Sequence, residues 1–525
     1  MFSKILIANR GEIACRIIRT CQKLGIKTVA IYSEPDATGL HVKQADEAYC
    51  VGPAAAQDSY LNVDNILEAA RTSGAEAIHP GYGFLSENAE FARRCHESGI
   101  KFIGPTPEVM EKMGCKLKAR KLARKAGLPI LPGTDEAVEN HRALDRAWAL
   151  GFPLMVKSAE GGGGIGIHNV NSIEDLMPLV DRTRQVATKA FGSPRLFFER
   201  YLKDASHIEV QLMGDEHGNL VHLFERDCSI QRRNQKLIEE APASKLSPKL
   251  RQKICKLALK LGRHIGYSNA GTVEFLVSAQ EQVYFLEMNT RLQVEHGVTE
   301  LVTGVDLVEL QLRVAAGEKL PLGQQDIQAH GHAVQTRVYP EDPETFMPDA
   351  GIISELNLPA GEKIRLDSAL CKGYEVALHY EPLLAKVMTW GDTRGEALQR
   401  QLKALLAFRL EGVKYNTPLL RSILSSKEFT QAVHHTGSLG AILTGQKQCQ
   451  HRSGKQSSMN GNGQEKGNRE IAAAIGAALA LSMHGSGHGS GLRGGVVEEP
   501  TSTPWRAFGR REQLFSRTLG SRSWR

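Results

Sequence analysis

The chain has 525 residues, too many for one hydrophobic core, so roughly two to four domains are expected. Its formal net charge is +7, but residues 447–525 hold 12 Lys+Arg against 5 Asp+Glu, which leaves the body before them formally neutral and gives a nucleic-acid-binding role no support. Nine cysteines without a CxxC pair argue against a zinc site or a disulfide framework and fit a reducing compartment, by default the cytoplasm.

The amino terminus MFSKILIANRG lacks the long apolar segment of a secretory signal and reads as a first strand. ILIA, then Ile13, Ile17, Cys21 and Leu24 at helical spacing, then TVAIYS predict strand, amphipathic helix and strand, hence a parallel sheet. Gly11 opens the helix, whose amino end could hold an anion, and a plain structural turn explains it equally. Tyr82 and Glu87 lie in HPGYGFLSEN, which by itself reads as a rigid turn with a packed tyrosine.

Between Lys116 and Leu202 the strands LMVKSA and RLFFERYL are predicted to flank a loop with glycine at five of the six positions 161–166. Glycine lets backbone amides approach phosphates and lets a lid bend, whereas a plain hairpin needs one or two. Lys157 ends an apolar strand just ahead of the loop, where an unpaired lysine lacks a structural explanation. Lys116, within KLKARKLARK, reads as a solvated helical residue.

Thr272–Leu276 is an apolar strand with one inward acid, Glu274. In the following LEMNTRLQVEHGVTE, the residues Glu287, Asn289, Arg291, Gln293 and Glu295 alternate, so an extended segment would place all five on one face. Desolvating them is costly unless a metal and an anionic ligand compensate. Glu274 and Glu287 on neighbouring strands can clamp Mg²⁺. A solvated strand face is the alternative, opposed by the apolar neighbours Phe285, Met288, Leu292 and Val294. His207, a lone histidine, suits a structural role as well as a ligand contact.

Beyond Thr444 the composition shifts to Gly, Ser, Gln and Asn, as in a disordered linker. The longest apolar run, Ile471–Met483, falls short of the about 20 residues that span a bilayer, so no transmembrane segment is expected. TPWRAFGRREQLFSR is basic, with Trp505, Phe508, Leu514 and Phe515 interleaved. A tether to a partner, a tail without function and contact with an anionic membrane stay open.

Six separated strings stand in one order: KILIANRGEIACRI from Lys4, HPGYGFLSENAEFA from His79, Gly161–Gly164, ERDCSIQRRNQKLIEEAPA from Glu225, EMNTRLQVEH from Glu287 and EPLLAKV from Glu381. On them the chain, from Met1 to about Leu443, resembles biotin carboxylase, the ATP-grasp component of biotin-dependent carboxylases. The resemblance implies α/β and α+β architecture: a parallel-sheet, Rossmann-like domain over 1–115, an ATP-grasp unit with a mobile lid over 116–202 and its second part over 203–334, a mixed α+β carboxy-terminal domain over 335–445, and a disordered basic tail over 446–525.

It also implies ATP, Mg²⁺ (or Mn²⁺) and biotin on a separate carrier protein as cofactors. Glu274, Glu287 and Asn289 match the metal ligands, and Lys116, Lys157, Gly162, Gly163, Gly164, Glu199, Arg200, Leu202, His207, Gln231, Asn234 and Leu276 the nucleotide contacts. Lys236, Arg291, Gln293, Val294 and Glu295 fall on the bicarbonate pattern, with Tyr82 and Arg337 facing biotin. Glu295 is the implied base, and Lys236, Arg291 and Arg337 are the catalytic cations.

Several positions depart from the family pattern. Ile165 and Ile167 follow the glycines, His168 replaces an arginine, Asn234 a histidine, Gly297 a proline and Gln335 a glutamate, and Glu160 brings a carboxylate to the head of the loop. No methionine-flanked biotin-accepting lysine or long carboxyltransfer region is seen, so the implied partners are a biotin carboxyl carrier protein and a carboxyltransferase subunit, together with a homodimer and no nucleic acid. Another ATP-grasp ligase and a non-catalytic assembly homologue are the competing readings.

Overall fold

The computed structural model describes residues 1–161, 164–377 and 379–444. The expected contacts of Gly162 and Gly163 and the expected disordered tail, 446–525, lie outside the described residues.

The first unit is a five-stranded parallel sheet in the order Glu47–Gly52, Lys27–Ser33, Lys4–Ile7, Ala77–His79, Lys101–Phe102. The helix Gly11–Leu24 buries Ile13, Ile17 and Cys21 against it, as their spacing predicts. Gly11 has φ +65°, the left-handed conformation that lets the chain turn sharply from strand into helix.

A small antiparallel sheet follows, ordered Ile167–Val170, Leu154–Ser158, Leu196–Arg200. The glycine-rich loop therefore joins Leu154–Ser158 to Ile167–Val170, and the RLFFER strand pairs with the other edge of Leu154–Ser158 instead of flanking the loop. The strand IHNV is short and mixed in polarity, so its pattern does not announce it. Leu154, Val156, Val180 and Phe198 close a separate core beneath the helix Leu176–Phe191.

The remainder is organised on one eight-stranded antiparallel sheet: Val283–Asn289, Asn269–Val277, Ser206–Gly214, Leu220–Arg232, Gln235–Ala241, His332–Val338, Ala385–Gly391, Ile364–Ser368. The position between 334 and 335 falls within the strand His332–Val338, in the middle of this sheet. Arg233 and Asn234, both at positive φ, form the two-residue turn between Leu220–Arg232 and Gln235–Ala241, which suits the right-handed twist of the strands. No helix among the described residues is long and apolar enough to cross a membrane.

Candidate active site

The site begins with strand register. Glu274 stands opposite Glu287 on one side and Glu209 on the other, so three carboxylates from consecutive strands share a level of the sheet. Like charges at such spacing repel, so the row requires cations. Arg226, opposite Glu209, supplies one through its Nε at 2.5 Å. Lys236 supplies another, its Nζ lying 2.5 Å from Glu209, 2.9 Å from Glu274 and 2.7 Å from Glu295.

The five-residue polar row is brought together differently from its expected geometry. The strand ends at Asn289, residues 290–295 are irregular, and Glu295 precedes the helix His296–Thr303. The chain bends because Leu292 and Val294 bury themselves in the core of the amino-terminal unit. The polar members still converge: Arg291 donates to Asn289 Oδ1 and Gln293 Oε1 at 3.1 Å each, and Asn289 and Gln293 donate to Glu274 Oε1 at 2.8 and 3.3 Å. Glu87, from the loop after Tyr82, accepts from Arg291 Nε at 2.8 Å and from the Thr290 amide at 2.9 Å.

Burial alone would raise the Glu295 carboxyl, but Lys236, Arg337 and Arg226 outweigh it and hold it well below the usual range. Arg337 donates to Glu295 Oε2 at 3.0 Å and to Glu239 Oε1 at 2.5 Å. Glu239 is instead raised by burial and by the charge of Glu295, despite Arg337. Burial and Glu274 also raise Glu287, against the pull of Lys116 at 3.9 Å. Two facing carboxylates, one of them short of positive partners, fit a divalent cation with hard oxygen ligands. Asn289 is the outlying member of the expected metal set, since its oxygen faces Arg291.

On the nucleotide side, Lys116 is buried, not solvated, and donates to the Gly161 carbonyl. Lys157 is not unpaired: it shares the buried Glu199 with Arg120, so Glu199 presents a neutralised side chain. Arg200 is exposed and donates to Leu150 O at 2.5 Å, and Leu202 is half-buried just beyond the strand. His207 Nε2 lies 2.9 Å from Glu274, its Nδ1 meets Gln231 at 2.8 Å, and Leu276 is its cross-strand partner. A Cβ on Gly164 would lie 2.7 Å from the Asn234 Cβ, so the glycine loop rests on the hairpin turn.

The departures acquire local reasons. Glu160 accepts from Ser193 Oγ at 2.9 Å and pairs with Arg195 at 3.1 Å; Glu160 and Arg195, with Glu87, Cys115 and Lys118, line a cleft of about 370 Å³. His168 Nδ1 meets Thr183 Oγ1 at 2.9 Å and thus faces the unit's own helix. Gln335 donates to Glu239 at 3.1 Å. Tyr82 is packed in a core, with its ring centroid 5.7 Å from Lys386 Nζ.

Sequence reasoning did not select Glu209, Glu239 or Arg120. Glu209 carried a usable signal, because His207, Glu209 and Gln211 alternate with Ile208, Val210 and Leu212 as the selected row does. Arg120 sits in a basic helix and Glu239 beside Glu240, so neither stands out from solvated charge.

Anionic groups that call for a metal, facing a glycine loop with two buried lysines, suit phosphoryl transfer to a second anion. That combination marks an ATP-dependent ligase of the ATP-grasp class.

Family profiles agree in order: residues 1–110 match "Biotin carboxylase, N-terminal domain", 116–323 "Carbamoyl-phosphate synthase L chain, ATP binding domain" and 335–441 "Biotin carboxylase C-terminal domain". The chain is 53% identical over 430 residues to a biotin carboxylase of Halalkalibacterium halodurans, covering 82% of this chain and 95% of that one. It is 50% identical over 432 residues to biotin carboxylase 2 of Bacillus subtilis, covering 82% and 97%. The structure also matches the biotin carboxylase domain dimer of Hydrogenobacter thermophilus 2-oxoglutarate carboxylase, solved with MgADP, ADP and bicarbonate, at a TM-score of 0.81 and 46% identity, covering 83% of this chain and 96% of that one. The chain belongs to the biotin carboxylase family, and it is an ATP-dependent ligase.

Proposed function

We propose that the chain carboxylates biotin presented by a separate carrier protein, by way of carboxyphosphate, and that a carboxyltransferase subunit passes the carboxyl group to the final acceptor. The observation that carries this reading is Glu295, a buried carboxylate held between Lys236 and Arg337 beside the in-register acids.

In this reading Lys116 and Lys157 neutralise the triphosphate beneath the glycine loop, with Glu199, Arg200, Leu202, His207, Gln231, Asn234 and Leu276 around the rest of the nucleotide. Glu274 and Glu287, with Asn289, would hold Mg²⁺ (or Mn²⁺), which supplies charge neutralisation at the transferring phosphoryl group. Arg291, Lys236, Gln293 and the Val294 backbone receive bicarbonate, arginine offering a planar fork of donors.

Glu295 is ionised at neutral pH and accepts the bicarbonate proton. A bicarbonate anion that shares Lys236 weakens that cation's hold on Glu295 and so raises its basicity. The bicarbonate oxygen attacks the γ-phosphorus, ADP leaves, and carboxyphosphate collapses to CO₂ and phosphate. Phosphate takes the biotin N1 proton, Arg337 stabilises the enolate, Tyr82 flanks the ring, and the enolate captures CO₂. The closed loop keeps water from carboxyphosphate.

The same reading divides the chain at 115, 202, 334 and 445, places it in the cytoplasm and makes it a homodimer. Support comes from eight free cysteines among the described residues and from the dimeric Hydrogenobacter structure.

The experiment follows ATP cleavage and transfer of labelled bicarbonate carbon into acid-labile carboxybiotin, with and without biotin. Glu295→Gln should lower bicarbonate-dependent turnover by about 100-fold or more, the scale of general-base catalysis, while nucleotide affinity stays near wild type. Equal loss of nucleotide binding sinks the role assigned to Glu295.

A further inference from the structure

The strands His332–Val338, Ala385–Gly391 and Ile364–Ser368 bring Arg337, Lys386 and Asp367 opposite one another. Cross-strand partners project from the same face, so the three form one row. Arg337 leads that row to the Glu295 carboxylate, and Lys386 reaches one residue back along the same segment. Its fully buried Nζ donates to the Val294 carbonyl at 3.1 Å.

A buried ammonium persists only where anions offset its desolvation. Here Glu12 Oε2 lies at 3.1 Å and Asp367 Oδ2 at 3.7 Å. Asp367 does not depend on Lys386, because Arg365 holds it through two bonds of 3.2 and 2.8 Å and Arg19 through one of 2.6 Å. Two contacts are left to Lys386: the Glu12 carboxylate, which offsets its charge, and the Val294 carbonyl, which ties it to the site. Residues 290–295 belong to neither a strand nor a helix, and separate hydrogen bonds to their main chain hold the bend: the Thr290 amide donates to Glu87 at 2.9 Å, and the Gln293 carbonyl meets the His296 amide at 3.3 Å and His296 Nδ1 at 2.8 Å. Leu292 and Val294 anchor its apolar side, and the Lys386 ammonium holds the Val294 carbonyl, the peptide unit that leads into Glu295.

We infer that Lys386 is a positioning residue of the carboxylation reaction: its ammonium fixes the Val294 carbonyl, and with it the bend that aims Gln293 and Glu295 at bicarbonate. The inference rests on the bicarbonate pocket proposed above. Catalytic groups lose rate steeply when their support lets them drift by an ångström. Lys386 acts from behind the pocket, on the backbone that carries both side chains.

The test uses the full chain as Lys386→Met and as the double variant Lys386→Met/Glu12→Gln, which replaces the buried ion pair with neutral groups of similar size. Thermal unfolding establishes that each is folded. Steady-state ATP cleavage and label fixation then give separate KM values for bicarbonate and ATP. The KM for bicarbonate should rise about tenfold while that for ATP stays within about twofold, a split that loose folding does not produce.

If Lys386→Met does not fold, the double variant carries the test. A folded double variant with wild-type KM for bicarbonate overturns the inference, as does a uniform loss in both substrates. A double variant that will not fold makes Lys386 a structural residue and overturns it too. Wild-type chain that fixes no label overturns the functional reading and this inference together.

Discussion

Glu160 brings a carboxylate to a loop expected to approach phosphates, where unpaired it would repel them. Arg195 and Ser193 turn it toward the lid's own edge, so the loop carries the residue without presenting its charge. Releasing it should matter. Arg195→Ala should raise the KM for ATP roughly two- to fivefold, the scale of a half-exposed ion pair, and Arg195→Ala/Glu160→Ala should return it toward wild type. A KM that stays raised in the double variant would show that Arg195 itself meets the nucleotide. Glu160 stood out in the sequence as misplaced charge; its remedy, 35 positions on in the chain, carried no local signature. Lys157 repeats the lesson, since an apolar strand ending in lysine suggests an unpaired cation and Glu199 supplies the partner.

At the scale of elements, the helix His296–Thr303 meets the strand Ala385–Gly391 at Gly297. A Cβ there would lie 2.3 Å from the Met388 sulfur, so the glycine and the methionine share one volume. Gly297→Ala should cost about 1–3 kcal/mol by overpacking, and combined with Met388→Ala the loss should fall short of the sum of the single losses. Denaturant midpoints check this, and strict additivity would mean that the two sites do not compete for space. The turn Arg233–Asn234 shows the opposite balance, because both residues adopt positive φ and asparagine tolerates that conformation. Strand–helix alternation in the first unit and the polar run near Glu287 were legible from short-range periodicity. The bend after Asn289 was not, because it follows from Leu292 and Val294 entering a core built by residues nearly 300 positions earlier.

For the whole molecule, Glu12 joins the first helix to the carboxy-terminal end of the large sheet. Burial pushes its carboxyl up to about 7 from 4.5, more than Lys386 lowers it, with Asp367 adding repulsion. A folded pKa above the unfolded one contributes stability that is fully present below about 4.5 and lost as pH rises through about 7. Across that window stability should fall by at most about 1.4 kcal/mol per pH unit on this account, and Glu12→Gln should flatten the slope. Parallel slopes in urea titrations of the two proteins would remove Glu12 from the joint. What the sequence by itself determined is the chemical inventory and its local arrangement: the glycine loop, the alternating polar run, Glu274 inside an apolar strand, and the ordered strings that identify the family. Only the tertiary structure decided that Glu209, Glu274 and Glu287 stand in register, that Lys236 bridges three carboxylates, that Glu160 is neutralised and that Lys386 reaches Val294. The physical reason is range. Periodicity and turn chemistry act over a few residues and leave a trace in the letters, whereas register and buried charge pairing join residues tens to hundreds of positions apart and exist only once the sheet has closed.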